Sequence, residues 1–203
     1  MFIEPIKIYL VCFILGYLLG NVQFAVILSR FIYHDDVRLH GSGNAGSTNM
    51  LRVFGAKSGI LTFIGDFLKG CAAVLIGRIL GGPVASYAMA LGAVLGHDFP
   101  AFFKFKGGKG VASSIGIICM LNPIIGAISI VIGVGLALYT KIISIGSMVG
   151  ATTFMILTLI FGAGMWHRLL AVALWALLIM RHAENIDRLK HGQESKLPFN
   201  KKD

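Results

Sequence analysis

The chain has 203 residues, of which 56% are hydrophobic and 13% charged, and its formal net charge is +9. This composition excludes an ordinary soluble domain and indicates an integral membrane protein. A membrane-spanning helix needs about 20 apolar residues, so the length suits one helical bundle with no soluble domain between its apolar segments. We therefore predict a single integral-membrane domain over residues 1–203.

The first apolar segment, about residues 6–31, is interpreted as a retained span. No basic region precedes it, and no small-residue cleavage site follows it. Asn21 and Gln23 lie in its later half, where polar side chains are costly unless they face the interior of the bundle. Hydrogen bonding between helices and contact with a ligand both remain open for these two residues.

A polar stretch with the sequence GSGNAGSTN follows at residues 41–49. Its glycines allow consecutive N–H groups to converge on an anion without a Cβ atom in the way. The stretch therefore predicts the binding half of an active site. A flexible loop that only connects two helices is the alternative.

A second apolar segment, about residues 58–80, contains Asp66 and Lys69. The two charges are three residues apart, so they share a helix face and are able to pair with each other. Charges inside a span indicate a functional site by default. A structural ion pair is the other interpretation, and the two are compatible.

Gly81-Gly82-Pro83 is predicted to end that helix. A third apolar segment, about residues 84–103, leads into KFKGGKG at residues 104–110, directly before an apolar helix that begins at Val111. Glycine N–H groups, a helix N-terminus and a lysine together favour phosphate binding. The spacing is not that of a Walker P-loop and no strand precedes it, so nucleotide hydrolysis is not supported.

The remaining apolar sequence is split at Asn122-Pro123, because proline disfavours helix in the residue before it. Two further apolar segments cover about residues 148–165 and 166–180. The resulting prediction is an all-α polytopic membrane bundle of seven transmembrane helices. Its N-terminus would lie outside and its C-terminus in the cytoplasm.

Lysine and arginine support this orientation, since short cytoplasmic loops are enriched in them. Fourteen lie on the predicted cytoplasmic side, including Lys201 and Lys202, against three outside, namely Lys7, Arg78 and Arg168. The same assignment brings the glycine-rich and charged motifs to one face, which predicts a single cytoplasmic site. The tail lysines are expected to contact anionic membrane lipid.

The basic and hydroxyl residues near these motifs are directed at phosphate, because arginine binds phosphate bidentately and lysine acts as a point charge. His182 and Asp187 also show the H-x4-D spacing of a large class of glycerolipid acyltransferases. Five residues of helix rotate by about 140°, so this match is interpreted as accidental unless a turn lies there.

Several of these motifs, taken in order, resemble the bacterial acyl-phosphate:glycerol-3-phosphate acyltransferase family over almost the whole chain. They are GSGNAGSTN at 41–49, GDFLKG at 65–70, the stretch from Gly96-His97 to GGKGVA at 107–112, and HAENIDR at 182–188. The resemblance implies an enzyme of the bacterial inner membrane with a cytoplasmic active site. It would transfer a fatty acyl group from acyl phosphate to the 1-hydroxyl of glycerol 3-phosphate, giving lysophosphatidic acid and inorganic phosphate in phospholipid biosynthesis.

The resemblance also implies roles for individual residues. The catalytic residues would be Ser42, Asn44, Lys109, His182, Glu184 and Asn185, and the substrate-binding residues Arg52, Lys69, Gly107, Gly108, Gly110, Ser144, Ser147 and Arg188. The family usually has other residues at Asn21, Gln23, Ser47 and Ala183. No metal, cofactor or nucleic acid is expected, and the protein is expected to be a monomer.

Two points remain open at this stage. The group that removes the hydroxyl proton is His182, Glu184 or a phosphate oxygen of the substrate. A transporter or channel for an organic phosphate anion is the alternative function, since broken helices and helix N-termini also form such sites. A membrane scaffold explains the hydrophobicity but not two glycine-rich basic loops.

Overall fold

In a computed structural model, the chain is described over residues 3–196, and this part contains helices and no β-strand. The predicted all-α membrane fold is confirmed at this level. The α-helices are α1 (Ile3–Gly20), α2 (Phe24–Tyr33), α3 (Ser47–Asp98), α4 (Val111–Leu121), α5 (Pro123–Thr140), α6 (Ile143–Phe161), α7 (Met165–Arg181) and α8 (Ala183–Lys190). The predicted lipid contacts of Lys201 and Lys202 lie outside the described residues.

Four helical segments are long and apolar enough to cross a membrane, or five if α7 and α8, which meet at 54°, are counted as one span. One of the four runs from Ser47 to Phe103. A straight helix of the 52 residues in α3 would be about 78 Å long, more than twice the roughly 30 Å of bilayer hydrocarbon. The number of crossings therefore depends on where α3 bends, and seven spans stay a prediction.

Helix α3 has non-helical backbone at three glycines. Gly55 and Gly82 have positive φ angles of 84° and 77°, and Gly81 is non-helical with φ −156° and ψ 21°. The predicted break at Gly81-Gly82-Pro83 is confirmed. The predicted split at Pro123 is also confirmed as a helix boundary, since α4 ends at Leu121 and α5 begins at Pro123.

The predicted span over residues 6–31 corresponds to the apolar segment Pro5–Tyr33, but this segment is not one continuous helix. Helix α1 ends at Gly20 and α2 begins at Phe24. Asn21 Nδ2 donates to the Tyr17 carbonyl at 2.7 Å, and Gln23 Nε2 donates to the Gly20 carbonyl at 3.2 Å. The two polar side chains thus bind carbonyl groups of the last turn of α1, where the helix ends. The Tyr17 carbonyl also accepts the Asn21 N–H at 3.1 Å.

The predicted start of the segment at 148–165 is also corrected. Helix α6 begins at Ile143, after a left-handed Lys141 with φ 61°. Ser144 and Ser147 therefore lie in the first turns of a helix, whereas the sequence placed them between helices.

The chain divides into two compact units, Met1–Pro123 and Ile124–Asp203. In the first, α1 packs on α3 through small residues: a Cβ atom at Gly16 would overlap the Met89 carbonyl, and one at Gly92 the Phe13 carbonyl. In the second, α6 packs on α7. Close approach at small residues is the usual way in which membrane helices associate. A single domain over residues 1–203 stays a prediction.

Candidate active site

The stretch at residues 41–49 is an ordered loop held by the buried side chain of Asn49. Asn49 Nδ2 donates to the carbonyls of Val37 and His40 at 3.0 Å and to that of Asn44 at 3.1 Å. Its Oδ1 accepts the Ser42 N–H at 2.9 Å. One amide thus binds two points of the loop, at Ser42 and Asn44, and two just before it, at Val37 and His40, so a flexible connection does not describe this stretch.

Ser42 and Asn44 lie side by side in this first loop. Asn44 Nδ2 donates to the Ser42 carbonyl at 3.2 Å and lies 3.4 Å from Ser42 Oγ. Both side chains are partly exposed, and Arg52, farther along at the start of α3, is exposed. The two predicted catalytic residues of the loop are therefore neighbours that solvent reaches.

Arg38 ties the first loop to the segment that precedes Lys109. Its guanidinium binds Asp36 at 2.7 Å, and its Nη1 donates to the carbonyls of Phe103 at 3.3 Å and Lys106 at 3.4 Å. Hydrogen bonding from Arg38, supported by Arg30, outweighs burial and lowers the pKa of Asp36 well below its usual range. The sequence assigned Arg38 only to the basic cytoplasmic face, whereas the structure gives it a bridging position.

The second glycine-rich loop, Gly107–Gly110, packs directly against the first. The Ala45 N–H donates to the Gly107 carbonyl at 3.4 Å. A Cβ atom at Gly107 would overlap the His97 carbonyl, and one at Gly108 would overlap His97 Nε2. The predicted association of the two loops is therefore present, and these glycines are required by close packing.

Lys109 lies between two buried glycines and is itself partly exposed. Gly110, with a positive φ of 64°, is the N-cap of α4, so Lys109 stands just before a helix N-terminus as predicted. A Cβ atom at Gly110 would lie 3.0 Å from Oδ1 of the buried Asp98. A carboxylate to which the sequence assigned no role thus lies near the helix N-terminus that was expected to favour phosphate alone.

The predicted pair of Asp66 and Lys69 is confirmed at 2.8 Å, with both side chains at most 2% exposed. Lys69 Nζ also donates to the Val22 carbonyl at 2.8 Å and lies 3.0 Å from His97 Nδ1. An ammonium group has three protons, and three partners lie within 3.0 Å. This geometry argues against the predicted direct contact of Lys69 with substrate.

In the second unit, three predicted site residues converge on Glu194. Its carboxylate accepts hydrogen bonds from Ser144 Oγ at 2.8 Å, Asn185 Nδ2 at 2.5 Å and Arg188 Nε at 2.7 Å. The Glu194 side chain is only 8% exposed. Burial opposes its ionisation, but hydrogen bonds from Asn185, Arg188 and Ser144 outweigh burial and lower the pKa of Glu194.

Glu194 was missed by the sequence reasoning. Its only local signal is an acidic residue within a basic tail, and Ser144, one of its partners, lies 50 residues away. The cluster confirms that Ser144, Asn185 and Arg188 are neighbours. It does not include Ser147, whose Oγ donates to the Ile143 carbonyl at 3.0 Å.

His182 is buried at the junction of α7 and α8, and its Nδ1 lies 2.8 Å from the Leu178 carbonyl. A carbonyl only accepts, so Nδ1 carries a proton and Nε2 is the nitrogen suited to act as a base. Asp187 is 73% exposed and lies 3.6 Å from His191 Nδ1, and Glu184 is 75% exposed. The differing exposure of His182 and Asp187 agrees with an accidental H-x4-D match.

Among residues 3–196, no group of three or more histidine, cysteine or acidic side chains is arranged to hold a metal ion. The clusters described above offer amide, hydroxyl, imidazole and cationic groups. Such groups bind phosphate and stabilise developing negative charge.

The fold and these clusters define a helical integral membrane protein with two sets of phosphate-directed residues, one in each unit. The sequence model of the family described as glycerol-3-phosphate acyltransferase matches residues 10–192. The chain therefore belongs to the glycerol-3-phosphate acyltransferase family, as the motifs predicted.

Curated relatives agree with this assignment. The glycerol-3-phosphate acyltransferase of Thermoanaerobacter pseudethanolicus is 42% identical over 184 residues, which cover 91% of this chain and 93% of the relative. That of Clostridioides difficile is 40% identical, covering 93% of this chain and 95% of the relative.

A solved structure is also similar over nearly the whole chain. PlsY (YgiH), an integral membrane glycerol 3-phosphate acyltransferase in its glycerol 3-phosphate form, superimposes with a TM-score of 0.88 at 35% identity. The match covers 93% of this chain and 95% of PlsY. A lysophosphatidic acid form of PlsY gives a TM-score of 0.85.

Proposed function

We propose that this chain transfers a fatty acyl group from acyl phosphate to the 1-hydroxyl of glycerol 3-phosphate, releasing lysophosphatidic acid and inorganic phosphate. The observation that carries the proposal is the packing of the two glycine-rich loops around Lys109, joined at Ala45 and Gly107. Family membership supports the acceptor, because the similar PlsY structures are glycerol 3-phosphate and lysophosphatidic acid forms.

Acyl phosphate is the proposed donor because the site is rich in phosphate-directed groups. The 1-hydroxyl oxygen attacks the carbonyl carbon, a tetrahedral oxyanion forms, and the C–O bond to phosphate breaks. Inorganic phosphate is a good leaving group, so the enzyme contributes mainly positioning and charge stabilisation. Lys109 and the N–H groups of Gly107, Gly108 and Gly110 hold the phosphate of the donor.

Ser42 and Asn44 stabilise the oxyanion in this proposal. Their side chains are neighbours, partly exposed, and fixed on a loop that Asn49 makes rigid. A donor that is held in place before the reaction stabilises developing charge without reorganisation. These two residues therefore act on the acyl group, while Lys109 acts on the phosphate.

Arg52, Asn185 and Arg188 hold glycerol 3-phosphate in this proposal. Ser144 and Ser147 belong to the same binding surface, but they donate their hydroxyl protons to Glu194 and to the Ile143 carbonyl. Arg188 uses Nε for Glu194, which leaves four guanidinium protons on its two terminal nitrogens. Its Nη1 lies 3.8 Å from the exposed Glu184 carboxylate, too far for a hydrogen bond. Arg188 is thus able to bind phosphate while Glu194 fixes its orientation, and Lys69 supports the site without touching substrate.

The base is His182, Glu184 or a phosphate oxygen of the substrate. While Nδ1 donates to the Leu178 carbonyl, the lone pair of the neutral His182 ring lies on Nε2, and this geometry suits a general base. Activity that is unchanged in both His182→Ala and Glu184→Ala would assign the proton to the substrate phosphate.

The proposed setting is the bacterial inner membrane, with seven spans, an outside N-terminus and a cytoplasmic C-terminus and active site. The protein works there as a monomeric single domain among membrane lipids. Cysteines introduced at Ser42 and Glu184 are expected to react with an impermeant thiol reagent only from the cytoplasmic side. Labelling of the two positions from opposite sides contradicts the topology.

The function is tested with purified protein, acyl phosphate and glycerol 3-phosphate. The expected result is release of inorganic phosphate together with lysophosphatidic acid, in equal amounts. Exchange of glycerol 3-phosphate across sealed vesicles, without lysophosphatidic acid, would instead identify a transporter. If neither reaction is observed, the acyltransferase proposal is left without support.

A further inference from the structure

Asp66 and Lys69 form a buried cluster with a third side chain, His97. Lys69 Nζ lies 3.0 Å from His97 Nδ1, and Asp66 Oδ1 lies 3.5 Å from the same nitrogen. The three side chains are at most 4% exposed. An ion pair would be complete without the imidazole, so the position of His97 calls for an explanation of its own.

The partners of Lys69 determine which nitrogen of His97 carries the proton. An ammonium group donates hydrogen bonds and accepts none, so His97 offers the lone pair of Nδ1. Lys69 then has one proton each for Asp66 Oδ1, the Val22 carbonyl and His97 Nδ1. The imidazole is neutral and protonated at Nε2, on the edge of the ring that faces away from the ion pair.

That outer edge of the ring lies against the second glycine-rich loop. A Cβ atom at Gly108 would overlap His97 Nε2 and would lie 2.9 Å from both His97 Cε1 and the Ala45 carbonyl oxygen. The His97 carbonyl also accepts the Gly108 N–H at 3.1 Å. His97 therefore contacts Gly108 through its ring and its backbone, one residue before Lys109.

The backbone of His97 is fixed as well. Its carbonyl accepts a hydrogen bond from Gln23 Nε2 at 3.1 Å, in addition to the one from Gly108. Gln23 lies at the break between α1 and α2, where the Val22 carbonyl binds Lys69. The break between α1 and α2 thus supplies hydrogen-bond partners to both Lys69 and His97.

We propose that His97 is a positioning residue for the Gly107–Gly110 loop. Lys69 fixes the ring through Nδ1, and the ring fixes Gly108 at the point where the loop meets Ala45. Asp66 and Lys69 then influence substrate binding through His97 and without contact. The inference rests on the proposed function only in that the loop holds a substrate phosphate.

Nitrogen NMR of histidine-labelled protein tests the tautomer directly. The His97 signals, identified by their loss in His97→Asn or His97→Gln, are expected to show protonated Nε2 and unprotonated Nδ1. A proton on Nδ1, or on both nitrogens, overturns the proposal. The measurement requires no turnover, so it holds even if the protein has no acyltransferase activity.

Kinetics of His97→Asn test the effect on the loop. The asparagine oxygen is able to replace Nδ1 as the acceptor for Lys69, but the ring edge beside Gly108 is lost. We expect the KM for acyl phosphate to rise about tenfold or more, since small displacements of binding groups have effects of this size. His167→Asn, at a buried histidine of α7 in the second unit, is the matched control and leaves KM unchanged.

Separate values of KM and kcat distinguish a positioning role of His97 from an effect on stability alone. A structural role reduces the amount of folded enzyme, which lowers the apparent kcat and leaves KM alone. An unchanged KM in folded, active His97→Asn overturns the inference. A rise in the KM for glycerol 3-phosphate alone supports the positioning role and overturns the assignment of the loop to acyl phosphate.

A double variant gives a test that does not depend on the folding of His97→Asn alone. Gly108→Ala is expected to raise KM because its Cβ atom would overlap the His97 ring. Gly108→Ala with His97→Ala removes the ring and is expected to recover part of the lost affinity, the Ala45 carbonyl limiting full recovery. A double variant that is no better than Gly108→Ala overturns the proposed contact.

Discussion

The two units of this protein build their proposed phosphate-binding surfaces in different ways. In the first, main-chain groups of two loops are held by glycine packing and by the Asn49 amide. In the second, side chains from α6 and α8 converge on the carboxylate of Glu194. The first surface therefore depends on steric fit, and the second on the balance of charge.

This difference predicts which substitutions each unit tolerates. Adding a methyl group at Gly107 or Gly108 would force backbone apart, whatever the charge of the substrate. Around Glu194, a change of volume matters less than removing one negative charge, because three donors face the same carboxylate. Substitutions that add volume are therefore expected to harm the first surface more, and substitutions that change charge the second.

Lys109→Ala is expected to have the largest effect. It removes the one cation within the second loop, beside a helix N-terminus, and activity should fall by about 1,000-fold, the upper range for a group that stabilises transferred charge. Lys106→Ala, at an exposed lysine of the same segment, is the matched control and should retain most activity. Steady-state phosphate release measures both, and full turnover in folded Lys109→Ala would remove the central assignment.

Ser42→Ala is expected to lower kcat by about 100-fold, the size of effect found when one oxyanion donor is removed. The loop should keep its shape, because Asn49 binds the Ser42 N–H and not its hydroxyl. Separate determination of kcat and KM is the decisive measurement. An increase in KM with normal turnover would restrict Ser42 to binding.

Much of the fold follows from local sequence. Gly81-Gly82-Pro83 and Asn122-Pro123 end helices for reasons that lie within a few residues of the break. The break between α1 and α2 has no glycine-proline signal of this kind. Gln23 acts there through the His97 carbonyl, 74 residues away, and no local pattern reveals such a partner.

The candidate site also combines features that local sequence predicts with features that depend on distant partners. The two loops were predictable because glycine, lysine and a helix start are adjacent in the sequence. Glu194 and His97 were not, since each acquires its role from side chains that folding brings near. Lys69 shows the limit most clearly: its pairing with Asp66 followed from a three-residue spacing, but its contact with His97, 28 residues away, did not.

Glu194→Gln is expected to weaken glycerol 3-phosphate binding about tenfold, since hydrogen bonds to charged groups are worth about 1.5–3 kcal/mol. The amide keeps the size of the side chain but cannot accept from Asn185 and Arg188 with the strength of a carboxylate. The KM for glycerol 3-phosphate measures the change. A lower KM in the variant would show instead that Glu194 competes with the substrate phosphate.

The pH dependence of stability checks the same cluster. Folding lowers the pKa of Glu194, so its stabilisation is complete above the unfolded pKa of about 4.3 and is lost as pH falls through the lower folded value. Wild type should therefore have a higher melting temperature than Glu194→Gln at pH 7, and this difference in melting temperature should narrow as the pH falls below about 4. A constant gap across this range contradicts the assigned charge interaction.

Ser144→Ala and Ser147→Ala should show the smallest effects and differ from each other. Ser144 Oγ donates to Glu194, whereas Ser147 Oγ donates to a carbonyl of its own helix, as serine commonly does. Loss of one hydrogen bond to a charged group is worth more than loss of a local one, so Ser144→Ala should raise KM about threefold or more and Ser147→Ala less. Equal effects would mean that both hydroxyls reach substrate directly, and the second surface would then depend less on Glu194 than its geometry indicates.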